Sequence, residues 1–183
     1  PAVILPGVTV VVSPLISLMK DQVDGLNAKG IKSAYINSTQ TLETQTEILS
    51  RLGESDFTIV YVAPERFRSH RFMRRLSEQR ISLLAIDEAH CISRWGHDFR
   101  PDYGRLGYVL EQLKPQHILA CTATATPEVR KDIVSSLGLT KPCVHVAGFL
   151  RENLFLRVKR CRSENERFKE LSRTLTETEA GGK

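Results

Sequence analysis

The chain has 183 residues, 41% hydrophobic and 26% charged, with a formal net charge of +5. This is the profile of a soluble globular protein able to bury one domain core, and the modest positive charge suits a polyanionic partner. A membrane-spanning helix is excluded, because no run approaches the ~20 apolar residues that one requires. The start Pro1-Ala2-Val3-Ile4-Leu5 has neither a charged region nor a cleavage site and does not read as a signal peptide.

Val8-Thr9-Val10-Val11-Val12 is continuous and β-branched, the pattern of a buried parallel strand. A helix follows with Leu15, Leu18, Met19, Val23 and Leu26 on one stripe, ended by Gly30. Ser33 to Asn37 is a short strand, and Leu42, Leu49 and Leu52 mark a second helix stopping near Gly53. Phe57 to Val62 is the next strand, and Pro64-Glu65-Arg66 opens a helical turn. Ile81 to Ile86 is a fourth strand, and Pro101 begins a helix through about Lys114. His117 to Cys121 is a fifth strand. Thr126-Pro127-Glu128 then starts a helix, with threonine as cap and proline at the first helical position. Val129, Ile133 and Leu137 form its stripe and Gly138 ends it. Val144-His145-Val146 and Leu154 to Val158 are predicted as short strands. Ser163 with Glu166 forms a capping box before Phe168, Leu171 and Leu175. Strands alternating with helices imply an α/β fold, a parallel sheet covered on both faces.

Four cysteines stand at 91, 121, 143 and 161 with no Cys-x-x-Cys pair, and His90, His97 and Asp98 match no zinc spacing, so a zinc site is not expected. Arg66, Arg68, Arg71, Arg74, Arg75 and Arg80 fall within fifteen positions. That cluster is either a solvated helix face or a phosphate contact.

The strand Ile81 to Ile86 feeds two adjacent carboxylates, Asp87 and Glu88. Acids at the carboxyl edge of a parallel sheet lie where such sheets bind ligands. Asp87 is suited to hold magnesium through water beside phosphates, and Glu88 to orient and deprotonate an attacking water. The plainer alternative is that both acids cap the next helix. At Ser13-Pro14, backbone amides entering a helix can meet a phosphate, and Lys20 adds charge; an ordinary strand-to-helix turn has the same signature. Trp95, Phe99 and Tyr103 repeat at i, i+4 and i+8, as a core stripe would, but Gly96 and Pro101 interrupt them. A loop with exposed rings is the expectation, and such rings stack on unpaired bases at ~1–3 kcal/mol per base. Thr122 and Thr124 present hydroxyls beside the sheet edge that helix entry, served by Thr126, does not need.

These residues resemble the RecQ family of DNA helicases. Asp87-Glu88-Ala89-His90 looks like its Walker B box, and Cys91 to Tyr103, the string Cys-Ile-Ser-Arg-Trp-Gly-His-Asp-Phe-Arg-Pro-Asp-Tyr, like its aromatic-rich loop. Ser13 to Gln22 looks like motif Ia, Ala63-Pro64-Glu65-Arg66 like motif Ib, and Thr122-Ala123-Thr124-Ala125 like motif III. Phe149 to Leu154 resembles the passage between motor lobes, with Glu152 where the family usually has proline.

The resemblance implies a RecA-like P-loop NTPase lobe, incomplete at its N-terminus because no Gly-x-x-x-x-Gly-Lys-Ser/Thr phosphate loop occurs. Residues 1–147 would be the first lobe and 148–183 the interlobe connection and start of the second. It implies ATP and Mg²⁺ as cofactors, Asp87 as the metal carboxylate, and Asp87, Glu88 and His90 as catalytic residues. Ser13, Pro14, Lys20, Arg66, Trp95, His97, Phe99 and Arg100 would contact nucleic acid, and Thr122 and Thr124 would couple hydrolysis to movement. The implied activity is ATP-dependent 3′-to-5′ unwinding of DNA, on single-stranded and partially duplex substrates, in repair or recombination. Its partners would be DNA and the rest of its own helicase chain, not a membrane, in the bacterial cytoplasm (nucleoid) or a eukaryotic nucleus. The 183 residues alone are expected to be inactive. A related RNA helicase and a non-enzymatic nucleic-acid-binding fragment stay open as alternatives.

Overall fold

The computed structural model describes residues 1–53, 56–148, 153–154 and 157–181, without the side chains of 53 and 177–181. They form two compact units, Pro1–Cys143 and Val144–Lys183. In the first, five strands, β1 (Val8–Val12), β2 (Ser33–Ile36), β3 (Ile59–Val62), β4 (Ile81–Ile86) and β5 (His117–Ala120), pair in the order β2-β3-β1-β4-β5. All pairings are parallel. Val12 is in register with both Val62 and Ile86, Val62 with Ile36, and Ile86 with Ala120. All five strands therefore end in one row, and the residues just after them share one edge.

Parallel neighbours need crossover helices, and these are almost always right-handed. The helices are α1 (Ile16–Asn27), α2 (Leu42–Gly53), α3 (His70–Ser77), α4 (Leu106–Leu113) and α5 (Pro127–Ser136). From β2 onward each connection steps across the sheet in one direction, which places α2, α3 and α4 on one face, where α3 touches both neighbours. The step from β1 to β2 runs the other way and puts α1 on the opposite face. The core is the apolar inside of this arrangement, with Val10, Val12, Ile36, Val60, Val62, Leu84 and Ile86 all buried. Helix α5 starts as expected: Thr126 accepts a hydrogen bond from the Val129 amide.

Several expectations need correction. At β5, the edge strand among the described residues, Ile118 and Leu119 are exposed. On α1 the buried stripe is only Met19 and Val23; Leu15 and Leu18 are exposed. Pro101 does not begin the α-helix. Residues up to Arg105 wind as a turn and a short 3₁₀ helix, Tyr103–Arg105, and α4 starts at Leu106. No strand occurs among the described residues of 144–146 and 154–158; a short β-branched run needs a partner strand for its amides, and none pairs with it there.

In the second unit, α6 (Glu164–Gly181) carries its capping box. The Ser163 hydroxyl accepts from the Glu166 amide at 3.2 Å, and the Glu166 carboxylate accepts from the Arg162 amide at 2.8 Å. Of the interlobe motif at 149–154, residues 149–152 lie outside the described residues.

Candidate functional site

The two acids are fixed by the sheet itself. The Asp87 amide donates to Val12 O and the Ala89 amide to Cys121 O, each at 2.9 Å, so the Asp-Glu step is strung between β1 and β5. One Asp87 oxygen accepts from the Glu88 amide at 2.9 Å, the other from the Ser13 hydroxyl at 3.2 Å. A carboxylate has about four lone-pair sites, so Asp87 keeps acceptor capacity for a hydrated magnesium ion. The residues present fit that ion.

Glu88 caps nothing. Its backbone is left-handed (φ 48°, ψ 44°) and its side chain makes no cap hydrogen bond. A non-glycine residue held there costs ~1–3 kcal/mol, the kind of strain that collects at functional sites. The twist leaves the Glu88 side chain 31% exposed beside a nearly buried His90.

His90 is the hub. Its Nδ1 lies 2.8 Å from Thr122 Oγ1 and 3.2 Å from Glu88 Oε2. The Thr122 hydroxyl donates to Thr124 O and accepts from the Thr124 amide. A carboxylate only accepts, so the proton belongs on His90 Nδ1, shared between Glu88 and Thr122. The other side of the imidazole stacks on His97, with centroids 4.6 Å apart and planes 16° apart. One ring therefore touches the second acid, the threonine just past β5 and the aromatic loop.

The loop is pinned at both ends. The Arg100 amide donates to Cys91 O at 3.0 Å, and the Ser93 hydroxyl accepts from the Trp95 amide at 3.1 Å. Gly96 is required by close approach, since a Cβ there would sit 2.6 Å from His90 O. Trp95 is 82% exposed and Phe99 39%; Arg94 lies over the Phe99 ring at 5.9 Å. Tyr103 corrects the expectation of three exposed rings. It is fully buried, and its hydroxyl donates to Asp87 O at 3.0 Å. The signal was present in the sequence: Tyr103, Leu106, Leu110 and Leu113 repeat at helical spacing, and all four are buried.

His90, Cys91 and Asp98 bring potential ligand atoms within 4.8 Å of one another. Asp98 is already engaged by Arg100 at 2.9 Å. Burial, then the Asp98 charge, push the Cys91 thiol up to about 11. A cation there would have to displace a guanidinium and deprotonate that thiol, so the trio is organised as a neutral thiol beside an ion pair.

The remaining sequence-predicted residues are dispersed. Ser13 is buried and directed at Asp87, inside the acid centre. Pro14 is half-buried at the turn into α1. Lys20 is exposed on α1 and paired with Asp24 at 2.6 Å, and that contact raises its pKa. Arg66 lies on the 3₁₀ turn Pro64–Arg68 with its Nε buried and without a protein acceptor among the described residues. Sequence reasoning missed the Arg68–Asp102 ion pair (2.6 Å), which ties that turn to the end of the aromatic loop.

The family model described as DEAD/DEAH box helicase matches residues 5–133. The chain belongs to this helicase family. The implied RecQ resemblance is shown by its relatives. The chain is 51% identical over 160 residues to "ATP-dependent DNA helicase RecQ" of Bacillus subtilis (strain 168), covering 86% of this chain and 27% of that protein. It is 46% identical over 154 residues to the protein of the same name from Pasteurella multocida (strain Pm70), covering 84% and 24%. It is 43% identical over 169 residues to "ATP-dependent DNA helicase Q5" of Rattus norvegicus, covering 87% and 17%. This helicase chain thus spans about a quarter or less of the length of these relatives. The Pyrococcus furiosus Hef helicase domain shares its fold, with a TM-score of 0.54 at 17% identity, over 74% of this chain and 28% of that one.

Proposed function

We propose that these residues are the acid-bearing half of the ATPase centre of a RecQ-type DNA helicase, wired directly to its DNA sensor. The observation that carries this reading is His90, which contacts Glu88, Thr122 and His97 at once. Glu88 is the base: His90 holds one carboxylate oxygen, leaving the other for the attacking water. Asp87 is held from two sides and would bind magnesium, which neutralises the charge of the phosphates when present. A base stacked on Trp95 shifts the loop, His97 moves with it, and the shift reaches Glu88 through one ring. Thr122 passes the same movement to the end of β5.

The alignment of this centre with the loop, and the names of the relatives, support DNA as the polymer and ATP as the fuel. The 3′-to-5′ direction, unwinding in repair or recombination, and a place in the bacterial nucleoid or eukaryotic nucleus follow from the resemblance. Among the described residues no helix is long and apolar enough to cross a membrane. We further propose that residues 1–147 work as the first motor lobe and 148–183 lead into the second, with the phosphate loop supplied by the rest of the helicase chain.

The test is Glu88→Gln in the full-length protein. Removing a positioned general base costs ~10²–10⁴-fold in turnover, while ATP should still bind, because Glu88 holds water and not triphosphate. A collapse of nucleotide affinity with turnover of bound ATP intact would overturn the assignment.

A further inference from the structure

The arginine cluster of residues 66–80 is not used by the ATPase centre. It carries six arginines and one acid, Glu78, a surplus equal to the formal net charge of the entire chain. On α3, Phe72 and Leu76 are buried against the core, so Arg71, Arg74 and Arg75, spaced i, i+3 and i+4, face outward. Arg74 and Arg75 share Glu78 at 3.5 and 3.3 Å, with side chains 83% and 51% exposed. One carboxylate cannot neutralise two guanidinium groups, and no acid pairs with Arg71 among the described residues. One arginine of the cluster reaches the aromatic loop. Arg68, on the turn that leads into α3, is bonded to Asp102 at the loop's far end, and Arg66 on the same turn holds a buried N–H without a protein acceptor among the described residues.

We infer that the outward face of α3 is a phosphate-contact track that carries the single strand onward from the aromatic loop. This rests on the DNA-helicase reading above. The partner is the sugar–phosphate backbone, because planar guanidinium groups suit phosphate oxygens and the row has no aromatic ring for a base. It is a positioning surface: it adds affinity without sequence preference and does not touch the ATPase centre.

The test uses the full-length protein and oligothymidylates of increasing length, with binding followed by fluorescence anisotropy between roughly 50 and 200 mM salt. The triple variant Arg71→Gln, Arg74→Gln, Arg75→Gln is compared with the parent. On the shortest oligonucleotide the parent binds, which covers the loop alone, the two should bind alike. On longer ones the slope of log affinity against log salt should fall by about 2, at ~0.7 for each single-strand phosphate no longer neutralised. The conservative triple variant Arg71→Lys, Arg74→Lys, Arg75→Lys should keep the parent slope, and basal ATPase should stay at the parent rate in both variants. Equal slopes at every length, or the same loss at every length, would overturn the track and leave the helicase reading standing. A parent protein that binds no DNA would sink both.

Discussion

Trp95 is where sensing by stacking and mere packing give opposite results. Truncation to alanine removes a ring that is 82% exposed. A tryptophan offers about 250 Å² of surface, so only about 45 Å² is buried here, worth about 1 kcal/mol at ~25 cal/mol per Å². In a lobe of this size that moves the melting temperature by ~2–4 °C. A core tryptophan would cost ~3–5 kcal/mol instead. The lost base stack is worth ~1–3 kcal/mol, or roughly 5- to 150-fold in single-strand affinity. Asp87, Glu88 and His90 are untouched, so ATPase without DNA should hold while DNA stimulation falls. Thermal unfolding, and ATPase of the full-length Trp95→Ala protein with and without single-stranded DNA, read these effects separately. A melting temperature lowered by more than ~8 °C, with basal and stimulated rates reduced alike, would refute the sensor role.

Two further outcomes follow from buried neighbours of the acids. Tyr103→Phe keeps the ring but removes the donor to Asp87 O; the lobe should lose ~1–3 kcal/mol in urea unfolding and turn over ATP more slowly, and unchanged stability would show that the hydroxyl is not an anchor. Burial holds the Cys91 thiol neutral up to about pH 11, against a reference value of 9.0. Because the folded value is the higher one, its stabilising contribution is full below the unfolded value and is lost as pH rises between about 9 and 11. Native protein at pH 8 should resist alkylation at Cys91 and react there once unfolded, as peptide mapping would report.

The sequence by itself determined the parallel sheet, since β-branched runs such as Val8–Val12 and Ile81–Ile86 alternate with amphipathic segments, and a strand buried on both faces has no other pattern. It also determined where the acids lie, because Asp87 and Glu88 follow a strand directly and strand ends in a parallel sheet share an edge. Local chemistry sufficed for the caps at Thr126 and Ser163, whose partners are three residues away. Only tertiary structure decided the rest. Ser13 and Asp87 are 74 positions apart, and His90 and Thr122 are 32 apart; each pair meets because the strand order sets β4 between β1 and β5. Tyr103 was readable as a loop ring or a helix residue until the core claimed it. Glu88's left-handed backbone has no local signature at all, because the surrounding hydrogen bonds to β1 and β5 impose it.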